Sequence, residues 1–210
     1  MKILNWQRNG YEVKGIGIHV IPGIGKTTIM SNLNGHDQVA KMFDIVFWLK
    51  VSEGKGNNSI KKLRAVIARR LDLTKKTRNP DEVAQSISAV LERMRYLILL
   101  DDVKETLELR EIEISGSNND SKIVLATRNR LICSGMKLDK ETKLEHLTTD
   151  EAWVIFQDVE NKDLIQGPKI LPTAHKLCEE CYGLPLLIAK VAPTFKLKSD
   201  PILWEGVLDN

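Results

Sequence analysis

The chain has 210 residues, of which 42% are hydrophobic and 28% charged, and its 31 Lys and Arg residues against 28 Asp and Glu residues give a formal net charge of +3. This composition is typical of a globular protein and excludes disordered and fibrous classes. A charge so small and so mixed gives no indication of a nucleic-acid partner. The sequence has no apolar run long enough for a signal peptide or a membrane span, so we expect a cytoplasmic protein.

Short apolar runs alternate with segments of helical period, which predicts an α/β fold with a parallel sheet and flanking helices. The predicted buried strands are Ile16–Ile21, Asp44–Val51, Tyr96–Leu100 and Lys122–Thr127. These segments are nearly continuous in apolar residues and rich in Ile, Val, Phe and Trp, as expected of strands covered on both faces.

Two amphipathic helices are predicted between these strands, at Ser59–Leu71 and Asn79–Met94. The start of the second is well specified, because Asn79 can serve as N-cap and Pro80 occupies the first helical position. After about Leu147 the pattern becomes entirely helical, and we expect a nucleotide-binding domain over residues 1–147 and a small helical subdomain over 148–210.

Four local signals mark helix boundaries in the predicted helical subdomain. Thr148–Glu151 has the signature of a capping box, Gly183 is expected to end one helix, and Pro185 is expected to begin the next. Pro193 should end or kink that last helix.

The three cysteines are Cys133, Cys178 and Cys181. An odd number fits a reducing compartment. The last two form a single C-x-x-C pair with no second pair to complete a zinc site, so we expect them on a packed helix face.

The first strand-to-helix turn, Gly17–Thr28, resembles a phosphate-binding loop. Backbone N–H groups at a helix N-terminus can hold phosphate oxygens, Lys26 adds a positive charge, and the hydroxyl of Thr27 can ligate Mg²⁺. The full pattern G-x-x-x-x-G-K-[ST] requires glycine where this chain has Val20, so the motif lacks one position. We therefore expect Val20 to be the last residue of the first strand.

Charged residues follow two of the predicted strands. Asp101 and Asp102 come directly after Leu100, and Arg128 follows Thr127. Ligands of open α/β sheets bind at the carboxyl ends of the strands. One acid there could hold Mg²⁺, its neighbour could orient or deprotonate an attacking water, and the guanidinium could reach a terminal phosphate.

Six motifs in order resemble the NB-ARC module of plant intracellular immune receptors, the disease-resistance proteins of the NLR class. They are P-G-I-G-K-T-T (Pro22–Thr28), F-D-I-V-F-W-L-K-V-S (Phe43–Ser52), Y-L-I-L-L-D-D-V (Tyr96–Val103), K-I-V-L-A-T-R (Lys122–Arg128), L-T-T-D-E-A-W-V-I-F (Leu147–Phe156) and C-Y-G-L-P-L (Cys181–Leu186). The second motif resembles the coiled-coil-linked branch of the family.

The resemblance implies a molecular switch that is off with ADP and on with ATP, with slow hydrolysis at most. Its partners would be the nucleotide and other receptor domains or proteins, in cis or in trans. Thr27 and Asp101 would serve Mg²⁺ and Asp102 would be the hydrolytic residue. The implied nucleotide-binding residues are Gly23, Ile24, Gly25, Lys26, Thr27, Thr28, Arg128 as phosphate sensor, and Pro185 on the adenine side.

The sequence departs from the family pattern at four positions. Val20 and Pro22 replace loop glycines, Lys104 stands where the non-TIR branch usually has Trp, and Leu187 replaces an alanine. No coiled coil or TIR segment precedes the module and no winged-helix subdomain follows it, so we expect a core fragment or a truncated relative. A nucleotide-free interaction module and a P-loop kinase remain open as alternatives on these residues.

Overall fold

A computed structural model describes residues 7–8, 11–12, 14–51, 57–73, 79–108, 121–159, 165, 167–195 and 204 of the chain. The chain divides into two compact units. The sheet unit comprises residues 1–20 and 26–144, and the helical unit comprises residues 21–25 and 145–210. Ser52, the last residue of the second motif, lies outside the described residues.

The sheet unit contains a five-stranded, fully parallel sheet, which confirms the predicted fold class. Its strands are β3 (Gly15–His19), β4 (Ile45–Lys50), β5 (Tyr96–Val103), β6 (Lys122–Thr127) and β7 (Lys140–Lys143), in the spatial order β4-β5-β6-β3-β7. Two short strands, β1 (Gln7–Arg8) and β2 (Tyr11–Glu12), pair antiparallel with each other.

Five helices accompany the sheet among the described residues: α1 (Lys26–Asn34), α2 (Asp37–Met42), α3 (Asn57–Arg70), α4 (Pro80–Leu91) and α5 (Arg130–Gly135). The predicted N-cap of α4 is confirmed, since the side chain of Asn79 accepts a hydrogen bond from the backbone N–H of Asp81 at 3.0 Å. Such a cap satisfies one of the orphan N–H groups at a helix start and contributes about 1 kcal/mol.

The core of the sheet unit lies where α3 and α4 cover one face of the sheet. Ile67, Ile87 and Ile98 are completely buried there, together with neighbours from β4, β5 and β6. Full burial of an aliphatic side chain of this size contributes roughly 1.5–3 kcal/mol, so this apolar layer stabilises the strands whose ends carry the site.

Two strand predictions differ clearly in their bounds from the structure, and one strand of the five-stranded sheet is not predicted. The first strand ends at His19 rather than at Ile21, and the expectation that Val20 is its last residue is wrong by one position, because the chain turns away at Pro22. Val20 N–H still donates to Thr127 O at 3.0 Å. The third continues past Leu100 through both acids to Val103. Strand β7 is not predicted, because its residues Lys-Glu-Thr-Lys carry none of the apolar signal on which strand prediction depends.

The helical unit contains α6 (Thr149–Val159), α7 (Leu171–Glu179), α8 (Pro185–Val191) and a final 3₁₀ turn, Ala192–Thr194. The capping box is confirmed: Glu151 N–H donates to Thr148 Oγ1 at 3.3 Å, and Thr148 N–H donates back to the Glu151 carboxylate at 2.9 Å. Pro185 begins α8 as predicted, and α8 gives way to the 3₁₀ turn that contains Pro193.

All three cysteines are buried and unbridged. Burial raises the pKa of the Cys133 and Cys178 thiols to about 11 and also raises that of Cys181. Cys178 lies in α7, and Cys181 lies just beyond its end, where its S–H donates to Leu177 O. Both cysteines therefore act as packing residues of the helical core.

Candidate nucleotide site

The structure brings four of the predicted site residues together in the sheet unit. Lys26 and Thr27 begin α1, directly after the loop, and Asp101 and Asp102 lie near the carboxyl end of β5. Lys26 Nζ lies 2.7 Å from Asp102 Oδ1 and 3.1 Å from Asp101 Oδ1, and Thr27 Oγ1 donates to Asp101 Oδ2 at 3.3 Å. One lysine, one hydroxyl and two carboxylates thus form a single cluster.

A β-bulge places both acidic side chains beside the same lysine. Successive side chains of a regular strand point to opposite faces of the sheet, so neighbouring residues such as Asp101 and Asp102 should diverge. The register between β5 and β6 shifts between Leu100 and Val103, and Asp102 has a left-handed backbone with φ of 57°. The extra residue of the bulge re-aims the Asp102 side chain toward Lys26.

The two carboxylates differ in their surroundings. Asp101 is 2% exposed and Asp102 is 17% exposed, and a second cation, Lys104, lies 3.8 Å from Asp102 Oδ2. The hydrogen bond from Lys26 is the main cause that holds the pKa of Asp102 below its usual value, against the opposing effect of burial. Asp102 is therefore firmly ionised at neutral pH.

One carboxylate oxygen of Asp101 accepts no hydrogen bond. Its Oδ1 is close enough to Lys26 Nζ for ionic attraction, but the angles of that contact do not make a hydrogen bond, so this buried oxygen has no hydrogen-bond partner. A buried carboxylate oxygen without a partner is costly. A carboxylate oxygen beside a threonine hydroxyl is also a donor set that suits Mg²⁺, which takes oxygen ligands and completes its shell with phosphate oxygens and water. These residues fit the predicted cation.

Arg128 follows β6 in the same unit and is exposed. Its position is fixed through the backbone, since His19 Nε2 donates to Arg128 O at 3.2 Å. Next to it, the buried Thr127 hydroxyl donates to Val103 O at 2.7 Å and accepts from Asn129 N–H. Thr127 thereby links the end of β6 to the end of β5, a role that its place in an apolar run does not predict.

Val20 is accommodated without strain. It is 1% exposed, it extends the β3–β6 ladder through its bond to Thr127 O, and among the described residues its backbone is not one of those with positive φ. Its side chain is part of the core rather than of the turn that follows. The position therefore does not require the conformational freedom of glycine.

The loop residues Gly23, Ile24 and Gly25 group with the helical unit. Gly23 and Gly25 have φ of 87° and 92°, which L-residues with a side chain rarely adopt. Within that unit Leu186 N–H donates to Gly23 O at 3.2 Å, and Pro185 Cγ is 4.0 Å from where a Cβ on Gly25 would lie. Both loop glycines thus meet a backbone requirement, and Pro185 lies beside Gly25.

The fold resembles that of two solved structures. The Holliday junction branch migration motor RuvB of Thermotoga maritima matches with a TM-score of 0.55 at 14% identity, over 94% of this chain and 62% of that one. A Signal Transduction ATPase with Numerous Domains (STAND) from Pyrococcus horikoshii matches equally well, over 94% of this chain and 30% of its own. These likenesses show that the chain has a fold of the P-loop NTPase type, a parallel sheet with flanking helices.

The family is shown by sequence. Residues 1–164 match the NB-ARC domain, and the chain belongs to the NB-ARC family. Among its Arabidopsis thaliana relatives, "Disease resistance protein UNI" is 32% identical over 211 residues, and "Probable disease resistance protein At1g61300" is 32% identical over 214. Both alignments cover 97% of this chain but only 23% and 27% of the relatives, so the chain spans about a quarter of their length. It is a nucleotide-binding switch module of the kind found in plant immune receptors.

Among the residues that the structure describes, no helix is both long enough and apolar enough to cross a membrane.

Proposed function

We propose that this module binds ADP and ATP together with Mg²⁺ and acts as the nucleotide-dependent switch of a plant intracellular receptor of the coiled-coil-linked branch. Its partners are then the other domains of that receptor, and its location is the cytoplasm. The observation that carries the proposal is the convergence of Lys26, Thr27, Asp101 and Asp102 at the carboxyl end of β5. Open α/β sheets bind their ligands at this edge.

Each residue has a role that follows from its chemistry. Backbone N–H groups from Gly23 to Thr28 hold phosphate oxygens, and Lys26, only 10% exposed, supplies a desolvated positive charge. Thr27 and Asp101 hold Mg²⁺, which neutralises phosphate charge when bound. We assign Pro185 to the adenine side and Arg128 to the terminal phosphate, where a guanidinium makes charge-assisted bonds.

Hydrolysis at this site should be slow. We assign Asp102 as the residue that orients an attacking water and accepts its proton. Its pKa is held below the usual range by Lys26, and Lys104 lies on its other side. A carboxylate stabilised by two cations is a weak base, because efficient proton transfer requires a pKa near the working pH. Slow turnover suits a switch, whose bound nucleotide must persist.

The decisive experiment is isothermal titration of the purified chain with ADP and Mg²⁺. We expect binding by the parent chain and none by Lys26→Ala. Lys41→Ala is the matched control, since Lys41 is an exposed lysine in the last turn of α2 and makes no contact with the cluster. If Lys26→Ala binds ADP within about threefold of the parent, or if the parent binds no ADP at all, the proposal is wrong.

Arg128→Ala provides a second readout of the same site. The guanidinium is assigned to the terminal phosphate, so its loss should weaken ATP more than ADP. Equal weakening of both nucleotides would remove Arg128 from the sensor role.

A further inference from the structure

A groove of about 530 Å³ lies in the sheet unit between strand β4 and helix α3, separate from the lysine–aspartate cluster. Its lining includes Trp48 from the strand and Val66 from the helix, which are 37% and 36% exposed. Large apolar side chains that remain exposed beside a concave surface are typical of an interaction site.

The charged side chains that line this groove are all cationic among the described residues. The ionisable residues of its lining are Lys50, Lys62 and Arg69, and the described lining contains no acid. Ser59 lies at one end of the groove, where its hydroxyl donates to Glu105, a residue outside the lining. Three cations around an apolar floor favour a ligand that is both anionic and apolar.

The backbone of β4 adds a third feature, because β4 is the edge strand of the sheet. Ile45 N–H and Val51 N–H donate toward β5, to Arg95 O and Asp101 O. Peptide groups of alternate residues along a strand point in opposite directions, so those of Trp48 and Lys50 point toward the open edge. No described strand pairs with that edge.

We propose that this groove binds an extended peptide of a partner protein that carries both acidic and apolar residues. The peptide adds a strand to the edge of β4 with which no described strand pairs, as in β-strand addition. Alternate side chains of a strand point to opposite sides, so Trp48 and Lys50 lie on one side of β4. Val66 and Arg69 belong to α3, which packs on the side of Leu49. Each side of the added strand therefore meets one large apolar side chain and one cation.

The same features disfavour a second copy of this chain as the occupant. Symmetric pairing of two β4 edges would bring the cationic grooves of the two copies together, and like charges facing each other across strands are destabilising. A lysine on an edge strand is a common protection against such self-association. A flat anionic lipid surface would not use the outward-pointing peptide groups of β4.

The test uses the whole chain and a short fluorescein-labelled peptide in which pairs of glutamates and pairs of valines follow one another, so that each side of the extended peptide carries both residue types. Binding is followed by fluorescence anisotropy. We expect saturable binding that becomes much weaker for three related peptides: the same sequence with serine for valine, the same sequence with lysine for glutamate, and the glutamate–valine peptide with N-methylated peptide groups. The last peptide keeps every side chain and removes only the donors that a new strand needs. Equal binding of the methylated peptide would overturn strand addition.

Two charge-reversal variants test whether the peptide binds at the groove. Lys50→Glu, in the groove, should weaken the peptide by about tenfold or more, because it replaces an attraction by a repulsion. Lys41→Glu makes the same change of net charge at an exposed position outside the groove and should leave the affinity within about twofold. Equal effects of both variants would mean non-specific attraction and overturn the proposal.

Two further outcomes would also overturn it. One is that phosphatidylserine vesicles retain the chain and displace the peptide, which would assign the groove to a membrane. The other is self-association of the chain in sedimentation velocity that the peptide reverses, which would assign it to a second copy. Circular dichroism melting checks that each variant is folded. None of these measurements includes a nucleotide, so failure of this proposal and failure of the proposed nucleotide binding can be told apart.

Discussion

Asp101 and Asp102 are consecutive residues of one strand, yet both carboxylates lie within 3.1 Å of the same lysine nitrogen. Regular strand geometry forbids this arrangement, and the bulge with its left-handed Asp102 makes it possible. A left-handed backbone costs a residue with a Cβ roughly 1–2 kcal/mol, although Asp and Asn tolerate it better than most. The ion pair with Lys26 offsets this cost.

The first prediction separates the two acids. Asp101→Asn should weaken ADP binding in the presence of Mg²⁺ and have little effect without it, because Asp101 carries the unpartnered oxygen assigned to the cation. Asp102→Asn should leave binding intact and remove whatever slow hydrolysis the chain has. Titration calorimetry with and without Mg²⁺, together with a phosphate-release assay, measures both effects.

Asparagine is the appropriate substitution in this experiment. It keeps the shape of aspartate and its tolerance for positive φ, whereas alanine at position 102 would add backbone strain to the loss of charge. If the two asparagine variants lose the same Mg²⁺-dependent affinity and the same turnover, the division of roles is wrong.

The second prediction concerns stability at low pH. The pKa of Asp102 is lower in the folded chain than its ordinary value of 3.8, so the ion pair contributes its full stability above that value. The stabilising contribution of the ion pair is lost as the pH falls from 3.8 through the lower pKa that Asp102 has in the folded chain. Asp102→Asn should therefore flatten the dependence of the urea midpoint on pH in this range. An unchanged slope would show that the pair does not contribute to stability.

The sequence predicted the strands and helices best where a single physical requirement dominates. Lys122–Thr127 is buried almost throughout, so its apolar run predicts a strand. The N-cap at Asn79 depends only on neighbouring residues, so the local sequence predicts it. The phosphate-binding loop motif predicts Lys26 as a site residue, and the position of Asp101 and Asp102 after an apolar run predicts the two acids. The bulge at Asp102 and the edge strand β7 could not be predicted, since both depend on pairing with strands distant in sequence.

The third prediction concerns the thiols. Cys133, Cys178 and Cys181 are buried and their pKa values are raised, to about 11 for the first two, so little thiolate is present at neutral pH. The thiolate is the reactive form. Ellman's reagent should therefore label all three only after denaturation. Rapid labelling of the native chain would show that the packing around at least one of them is wrong.

The fourth prediction concerns the incomplete loop motif. Val20 is buried and unstrained as an extension of β3, so Val20→Gly should not restore affinity for ADP. It should instead destabilise the chain by about 1–3 kcal/mol, since the core loses an aliphatic side chain and the unfolded chain gains freedom. Urea unfolding and ADP titration of the same variant check both statements. An affinity gain of about tenfold or more would show that the valine strains the loop.

The last prediction concerns Gly183, which joins α7 to α8. Its φ is 64°, and a Cβ placed there would collide with the backbone carbonyl oxygen of Leu147, whose N–H is itself bonded to Gly183 O at 3.0 Å. Gly183→Ala therefore combines left-handed strain with a clash that flexible side chains cannot relieve. We expect a loss of at least about 2–3 kcal/mol in the free energy of unfolding.

The matched control for this glycine is Gly35→Ala, at the end of α1. Gly35 is not among the glycines with positive φ, and a Cβ added to it would lie an ordinary 3.7 Å from its nearest neighbour, Ser31 O. Alanine there should be neutral or slightly stabilising, because it restricts the unfolded chain without strain in the folded one. Urea unfolding of both variants compares the two positions directly. Equal stability of the two alanine variants would mean that Gly183 is not required by the turn between α7 and α8.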